Sequence, residues 1–170
     1  MSQNKQEPEF LEYVNQLNEG RSLSEAFDHS QSEIESLDLN QLERIGLNTY
    51  AEGKWTIHQI IQHLIDWERI WCFRAILFAR DEGTIPVAHD QEIMAVNSNA
   101  NKRTISDLIN ELRVVRESSI MLFNSFESED LKKSCAFFEY EMPLDALAFT
   151  ITAHQIHHWN VINERYINLV

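Results

Sequence analysis

The stretch TIHQIIQHLIDWERIWCFRAILFARD, residues 56–81, decides the fold. Ile60, His63, Leu64, Trp67, Ile70, Trp71, Arg74 and Leu77 recur in it at three- and four-residue steps. At about 100° per residue that spacing draws one stripe along a long helix. Thr56 with Gln59 three residues on is a capping-box pattern, which gives the helix a defined start, and Gly83 to Pro86 is its expected stop. His63 therefore belongs to the face that turns inward.

The same periodicity recurs on either side. Upstream, Leu23, Phe27, Ile34 and Leu37 mark a helix from Ser22 to about Leu37, preceded by a short one over Phe10–Leu17 that ends at Gly20. Asn48 to Trp55 is a loop. Downstream, Asp90 to about Asn97 reads as a short turn of helix and the Asn-rich run 97–101 as a loop. Thr104 then opens a long helix to about Phe126, with Ile105, Leu108, Leu112 and Val115 inward. After a polar connection over 127–133, residues 137–142 read as one short extended stretch. Pro143, with its fixed φ, fits the first turn of a last helix running to about Asn168. Its stripe carries Leu147, Ile151, His154, His158, Val161 and Arg165. Four long helices predict an all-α antiparallel four-helix bundle, a single domain over residues 1–170 with 1–9 as a flexible tail.

Composition agrees. With 44% hydrophobic and 24% charged residues the 170-residue chain can bury a sizeable core, and its 4 Gly and 3 Pro are too few for the many tight turns of an all-β fold. A net charge of −13 argues against nucleic acid as a partner and against an anionic membrane surface. No apolar run approaches the roughly 20 residues a membrane span needs, and the first residues lack the apolar core of a secretory signal. The expectation is a cytoplasmic protein, in which Cys72 and Cys135 stay reduced and Cys72 is a small buried hydrophobe.

The chemistry-bearing residues are histidines. His154 and His158 stand four apart, one turn along one helix face, so two imidazoles can reach one metal ion from the same side. His157, three from His154, is also spaced to pair with it. Gln155 occupies the position where a zinc protease helix carries its Glu general base, which sets protease chemistry aside. His63 alone reads as a core histidine bonded to a neighbour. Three buried imidazoles would each need a partner, at a cost of about 1–3 kcal/mol for each one unsatisfied, and a metal satisfies all three. Three histidines with an open fourth position is the catalytic pattern. Around them, Asp66 is spaced to orient a ligand imidazole. Arg74 is placed either to hold a substrate carboxylate or to pair with Glu43 or Glu111. His58, His29 and His89 are expected at the surface.

Two runs carry a family resemblance. GKWTIHQIIQHLIDWER (53–69), continued by Phe73-Arg74-Ala75 and Ala79-Arg80, resembles the second-helix signature of the DinB/YfiT-like family. AHQIHHWNVINERY (153–166) resembles its fourth-helix signature, in the right order and separation. Asp90-Gln91, the loop 97–101 and Arg113 to Arg116 are also similar, so the resemblance runs from about Phe10 to the C-terminus. It implies a four-helix bundle with a long connection between the second and third helices, and a divalent metal, typically zinc, nickel or iron, held by His63, His154 and His158. Relatives include S-transferases that use low-molecular-weight thiols and metal-dependent hydrolases, and many form homodimers. His58 departs from the pattern, since relatives often carry an acidic residue there.

The expectation for function is a metal-dependent enzyme, such as a thiol S-transferase, in which the ion lowers the pKa of a thiol or water near neutral pH. Its partner is a small-molecule substrate. The rivals are a non-catalytic metal- or small-molecule-binding bundle of the stress-response kind and a metal-dependent hydrolase.

Overall fold

In the computed structural model, residues 9–82, 89–137 and 140–170 are described. The helices are α1 (Glu9–Asn18), α2 (Leu23–Glu35), α3 (Leu39–Ile45), α4 (Ile57–Ala79), α5 (Gln91–Asn97), α6 (Ile105–Asn124), α7 (Ser128–Leu131) and α8 (Leu144–Arg165). The expected stop at Gly83–Pro86 and the tail before Glu9 lie outside the described residues.

Local chemistry sets the starts. Ser22 with Glu25 and Thr56 with Gln59 each close a capping box on α2 and α4, while Asp38, Asp90 and Thr104 cap α3, α5 and α6 through their side chains. Four departures from expectation follow from chemistry that periodicity does not register. α3 was not foreseen, because seven residues hold too few turns for a stripe. Residues 137–142 contribute to a hairpin rather than a single extended stretch: β1 (Ser134–Phe137) pairs antiparallel with β2 (Tyr140–Pro143), Cys135 facing Met142. Pro143 sits just before the first turn of α8, with φ −66° and ψ 154°, and not in it. His58 is buried, not exposed, because α4 enters the bundle covered almost all round: every residue from Ile57 to Leu64 except Gln59 is buried.

The bundle consists of α2, α4, α6 and α8, and the side-chain pairings fix their directions. Glu68 meets Arg116 and Cys72 meets Ser119, so α4 and α6 run parallel. Phe27 meets Phe123 and Ser30 meets Arg116, so α2 opposes α6. His63 meets His158 and Trp71 meets His154, so α8 opposes α4. It follows that α2 and α8 are parallel, with Gln155 beside Ser30. Two parallel pairs are thus laid antiparallel to each other. A parallel neighbour cannot be reached by a tight turn, which is the physical reason for the long connection over residues 80–104 between α4 and α6.

The core has two apolar parts. One packs Ile57, Ile61, Ile65, Ile105, Leu108 and Leu112 with Trp159 and Tyr166; the other packs Phe27, Trp67, Trp71, Leu144, Leu147 and Ile151. A buried ion pair crosses the bundle: Arg116, 1% exposed, donates from Nε and Nη2 to Glu68 at 2.9 and 3.0 Å and from Nη1 to Ser30. α1 lies along α8, tied by Asn18, which donates to the Phe149 carbonyl at 3.1 Å and accepts from Thr152 at 2.7 Å. No described helix is long and apolar enough to cross a membrane.

Candidate metal centre

α4 supplies His63 two turns after its cap, and α8 supplies His154 and His158 one turn apart. Because α8 opposes α4, these rings meet at the same level. The Nε2 atoms of His63 and His154 are 2.9 Å apart, and those of His158 and His154 are 3.1 Å apart. Two imidazole nitrogens on one tetrahedral zinc at about 2.0–2.1 Å stand about 3.3 Å apart, so the donor spacing fits a shared ion. Among the described residues this is the one set of three or more histidines, cysteines or carboxylates so placed, and no carboxylate or thiol joins it.

Electrostatics points the same way. Burial, with the charge of His157 adding to it, lowers the pKa of His63 to about 3, and burial with the neighbouring His63 and His157 does the same for His158. His154 is held well below the ordinary histidine range, first by burial and then by His158 and His63. The three rings are therefore neutral at neutral pH, the form that ligates. They cannot satisfy each other, since His154 Nε2 has one hydrogen or one lone pair to offer and faces two partners. Nδ1 of His158 is likewise buried with no hydrogen-bond partner among the described residues. A divalent ion resolves the Nε2 conflict, and the residues present fit one.

The other sequence candidates separate from this centre. His157 does not converge on the cluster; its Nδ1 is 2.8 Å from the Tyr13 hydroxyl of α1, and its ring lines the cavity beside His158. Asp66 accepts from Gln62 at 2.9 Å, and burial raises its pKa; among the described residues no bond joins it to an imidazole. Arg74 is buried at 4% exposure but does not line the histidine cavity. Its expected partners are engaged elsewhere: Glu43 accepts the Ile105 N–H at 3.0 Å, and Glu111 pairs with Arg69 at 2.7 Å and Arg103 at 2.5 Å. His89 is not a free surface group, since its half-buried ring lies 6.0 Å from that of Trp67, and His29 is half-buried on α2. Cys72 is half-buried with Sγ 3.1 Å from Ser119 Oγ, and burial pushes its thiol up to about 11. Gln155, beside His154, turns to the opposite side of α8 and donates to the Ser30 carbonyl at 2.8 Å and to Glu33 at 3.1 Å. The position a protease would use for its base is spent on holding α2.

The three rings open onto a cavity of about 430 Å³. Its walls are Trp55, Tyr50 and Tyr166, with Lys54, Gln91 and Glu92 at the rim. Trp55 packs its ring 4.8 Å from that of His63 and donates its indole N–H to Glu92 at 2.9 Å. The Tyr166 hydroxyl donates to the Trp55 carbonyl at 2.5 Å. These residues were not among the sequence candidates. The available signal was an aromatic directly before a capping box, a position known to pack on the helix it precedes.

A helical bundle with three converging imidazoles facing a cavity is a scaffold that could hold a metal ion, with one side left open. A family profile for the DinB superfamily matches residues 22–162, and the chain belongs to that superfamily. Among solved structures it is similar to YfiT from Bacillus subtilis, described as "a probable metal-dependent hydrolase with an unusual four-helix bundle topology", at 17% identity and a TM-score of 0.68, over 99% of this chain and 93% of that one. No curated protein matches the sequence.

Proposed function

We propose that this protein is a metal-dependent enzyme that holds a divalent ion on His63, His154 and His158 and activates a small nucleophile for attack on an electrophilic substrate. The observation that carries the reading is the meeting of three neutral imidazoles at one point on the wall of an open cavity. When bound, the ion supplies Lewis acidity to whatever ligand reaches its open side. The chain's own groups do the rest. The aromatic walls exclude water from one side of the cavity, and the rim residues Lys54 and Gln91 offer donors to a polar substrate.

A low-molecular-weight thiol is the nucleophile we favour, making the reaction an S-transfer. A cavity of about 430 Å³ lies in the range of small-molecule sites. Among the described residues its one acidic side chain, Glu92, is already engaged by Trp55, so no carboxylate among them stands free in the cavity as a general base, and a thiol needs none once its pKa is lowered. Hydrolysis is the second reading, favoured by the likeness to YfiT. Zinc-loaded protein assayed with thiol plus electrophile, and separately with esters and amides, decides between them. Thiol-dependent turnover that disappears in His158→Ala supports transfer; ester or amide cleavage alone replaces it with hydrolysis; a fully loaded but inert protein leaves a binding bundle. Cytoplasmic location and assembly as a homodimer belong to the same proposal. The free Cys72 and Cys135 accord with a reducing compartment, and the family resemblance supports the dimer.

A further inference from the structure

Trp55 is held from three directions. Its ring leans on His63, its indole N–H is taken by Glu92 on α5, 37 residues away, and its carbonyl receives the Tyr166 hydroxyl from the far end of α8. Tyr166 is itself 1% exposed and braced edge-on by Tyr50 at 5.1 Å. Of these restraints only the Glu92 bond is exposed and made by a flexible side chain, so it is the one that can open. A tryptophan half-buried at a cavity mouth does not need a carboxylate to satisfy its N–H, because water serves as well. What water cannot do is fix the angle of the ring.

We propose that Glu92 is a positioning residue for the metal centre: by accepting the Trp55 N–H it pins the indole against His63, and so sets the width of the approach to the open side of the three imidazoles. The selected substrate is then a narrow nucleophile, a thiol on an unbranched aliphatic carbon, in preference to one carried on a ring. This rests on the three-histidine reading above and adds to it a determinant of which ligand arrives.

The test uses the full chain loaded with cobalt(II) under argon, whose visible absorption reports ligands entering the coordination sphere, titrated with 2-mercaptoethanol and with cyclohexanethiol. Wild-type protein is expected to bind the narrow thiol more tightly. Glu92→Ala and Trp55→Phe are each expected to reduce the preference for the narrow thiol, read as the ratio of the ring thiol's Kd to the narrow thiol's, about five- to tenfold, the weight of one ordinary hydrogen bond at an exposed site. Glu92→Gln, whose amide oxygen accepts the same N–H, is expected to keep the ratio within about twofold, and the Glu92→Ala/Trp55→Phe double variant to fall no further than either single one. Thermal midpoints checked alongside identify any variant that has lost its fold. Failure of wild-type protein to take up cobalt would overturn the three-histidine reading and this inference together. Uptake with equal binding of both thiols, with a wild-type ratio in Glu92→Ala or Trp55→Phe, or with Glu92→Gln as indiscriminate as Glu92→Ala, would overturn this inference alone.

Discussion

The bundle buries two polar centres, and they are built on opposite plans. In one, Arg116 spends Nε and Nη2 on the two oxygens of Glu68 and Nη1 on Ser30, so a charge and its counter-charge close on themselves. In the other, His63, His154 and His158 turn their Nε2 atoms toward one point and satisfy none of them fully. Both draw on α4: the first joins it to α6 and α2, the second to α8. The first is complete without any outside component, and its cost is the several kcal/mol of desolvating each ion, recovered only because the geometry is bidentate. The second is complete only with something added. A closed polar centre specifies how three of the helices pack, while an open one gives the packed helices something to do.

Breaking the closed centre should produce the largest effect. Glu68→Gln leaves the Arg116 guanidinium buried without its counter-charge and is expected to cost about 3–5 kcal/mol in urea unfolding. Zinc bound per folded chain should remain at the wild-type level; a loss of zinc with unchanged stability would erase the distinction between the two centres. Breaking the open centre should do the reverse. The His63→Ala/His154→Ala variant is expected to carry no metal and to ignore added zinc in a thermal melt, whereas wild-type protein at a hundredfold excess over Kd gains about 2.7 kcal/mol that a chelator removes. Equal, near-zero metal in both proteins would mean that the histidines hold nothing.

The gentlest test sharpens the comparison by pH. His63 and His158 titrate near 3 in the folded metal-free protein, below the ordinary histidine value of 6.5. Between those values the unfolded chain binds protons that the folded rings refuse, so stability falls as pH falls through that window and is level above it. Urea midpoints of metal-free protein from pH 8 to pH 4 should show that slope, and His63→Ala/His158→Ala should flatten it; an unchanged slope in the variant would place the acid sensitivity elsewhere.

Much of this was legible in the sequence because it depends on repetition. The long helices announce themselves by stripes of Ile, Leu and Trp. The histidines fall on those stripes, so the meeting of His63 with His154 follows once α4 and α8 face each other. What was not legible depends on relations between elements. His58 sits at the edge of a stripe and is buried because α4 is enclosed by more than one neighbour at its start, which no single-helix pattern contains. Asp66 shares the helix of His63, yet it is taken by Gln62 one turn back, and Glu43 and Glu111, the acids offered to Arg74, are drawn off by Ile105, Arg69 and Arg103. The pairing of Trp55 with Glu92 spans two loops and leaves no periodic trace. Nor does helix direction: the stripes of α4 and α6 read the same whether the helices run parallel or opposed.

The parallel run of α4 and α6 has one more consequence. Because the chain must travel back along the bundle before α6 can begin, it spends residues 80–104 on a return path, and α5 with Glu92 rides on that path to the cavity mouth. The three histidines and Glu92 are therefore inherited from separate parts of the chain. The donors are locked into helices whose packing tolerates little change, whereas a surface return path can be lengthened or rewritten at small entropic cost. A lineage built on this plan is free to rewrite the rim of the cavity while keeping its three histidines.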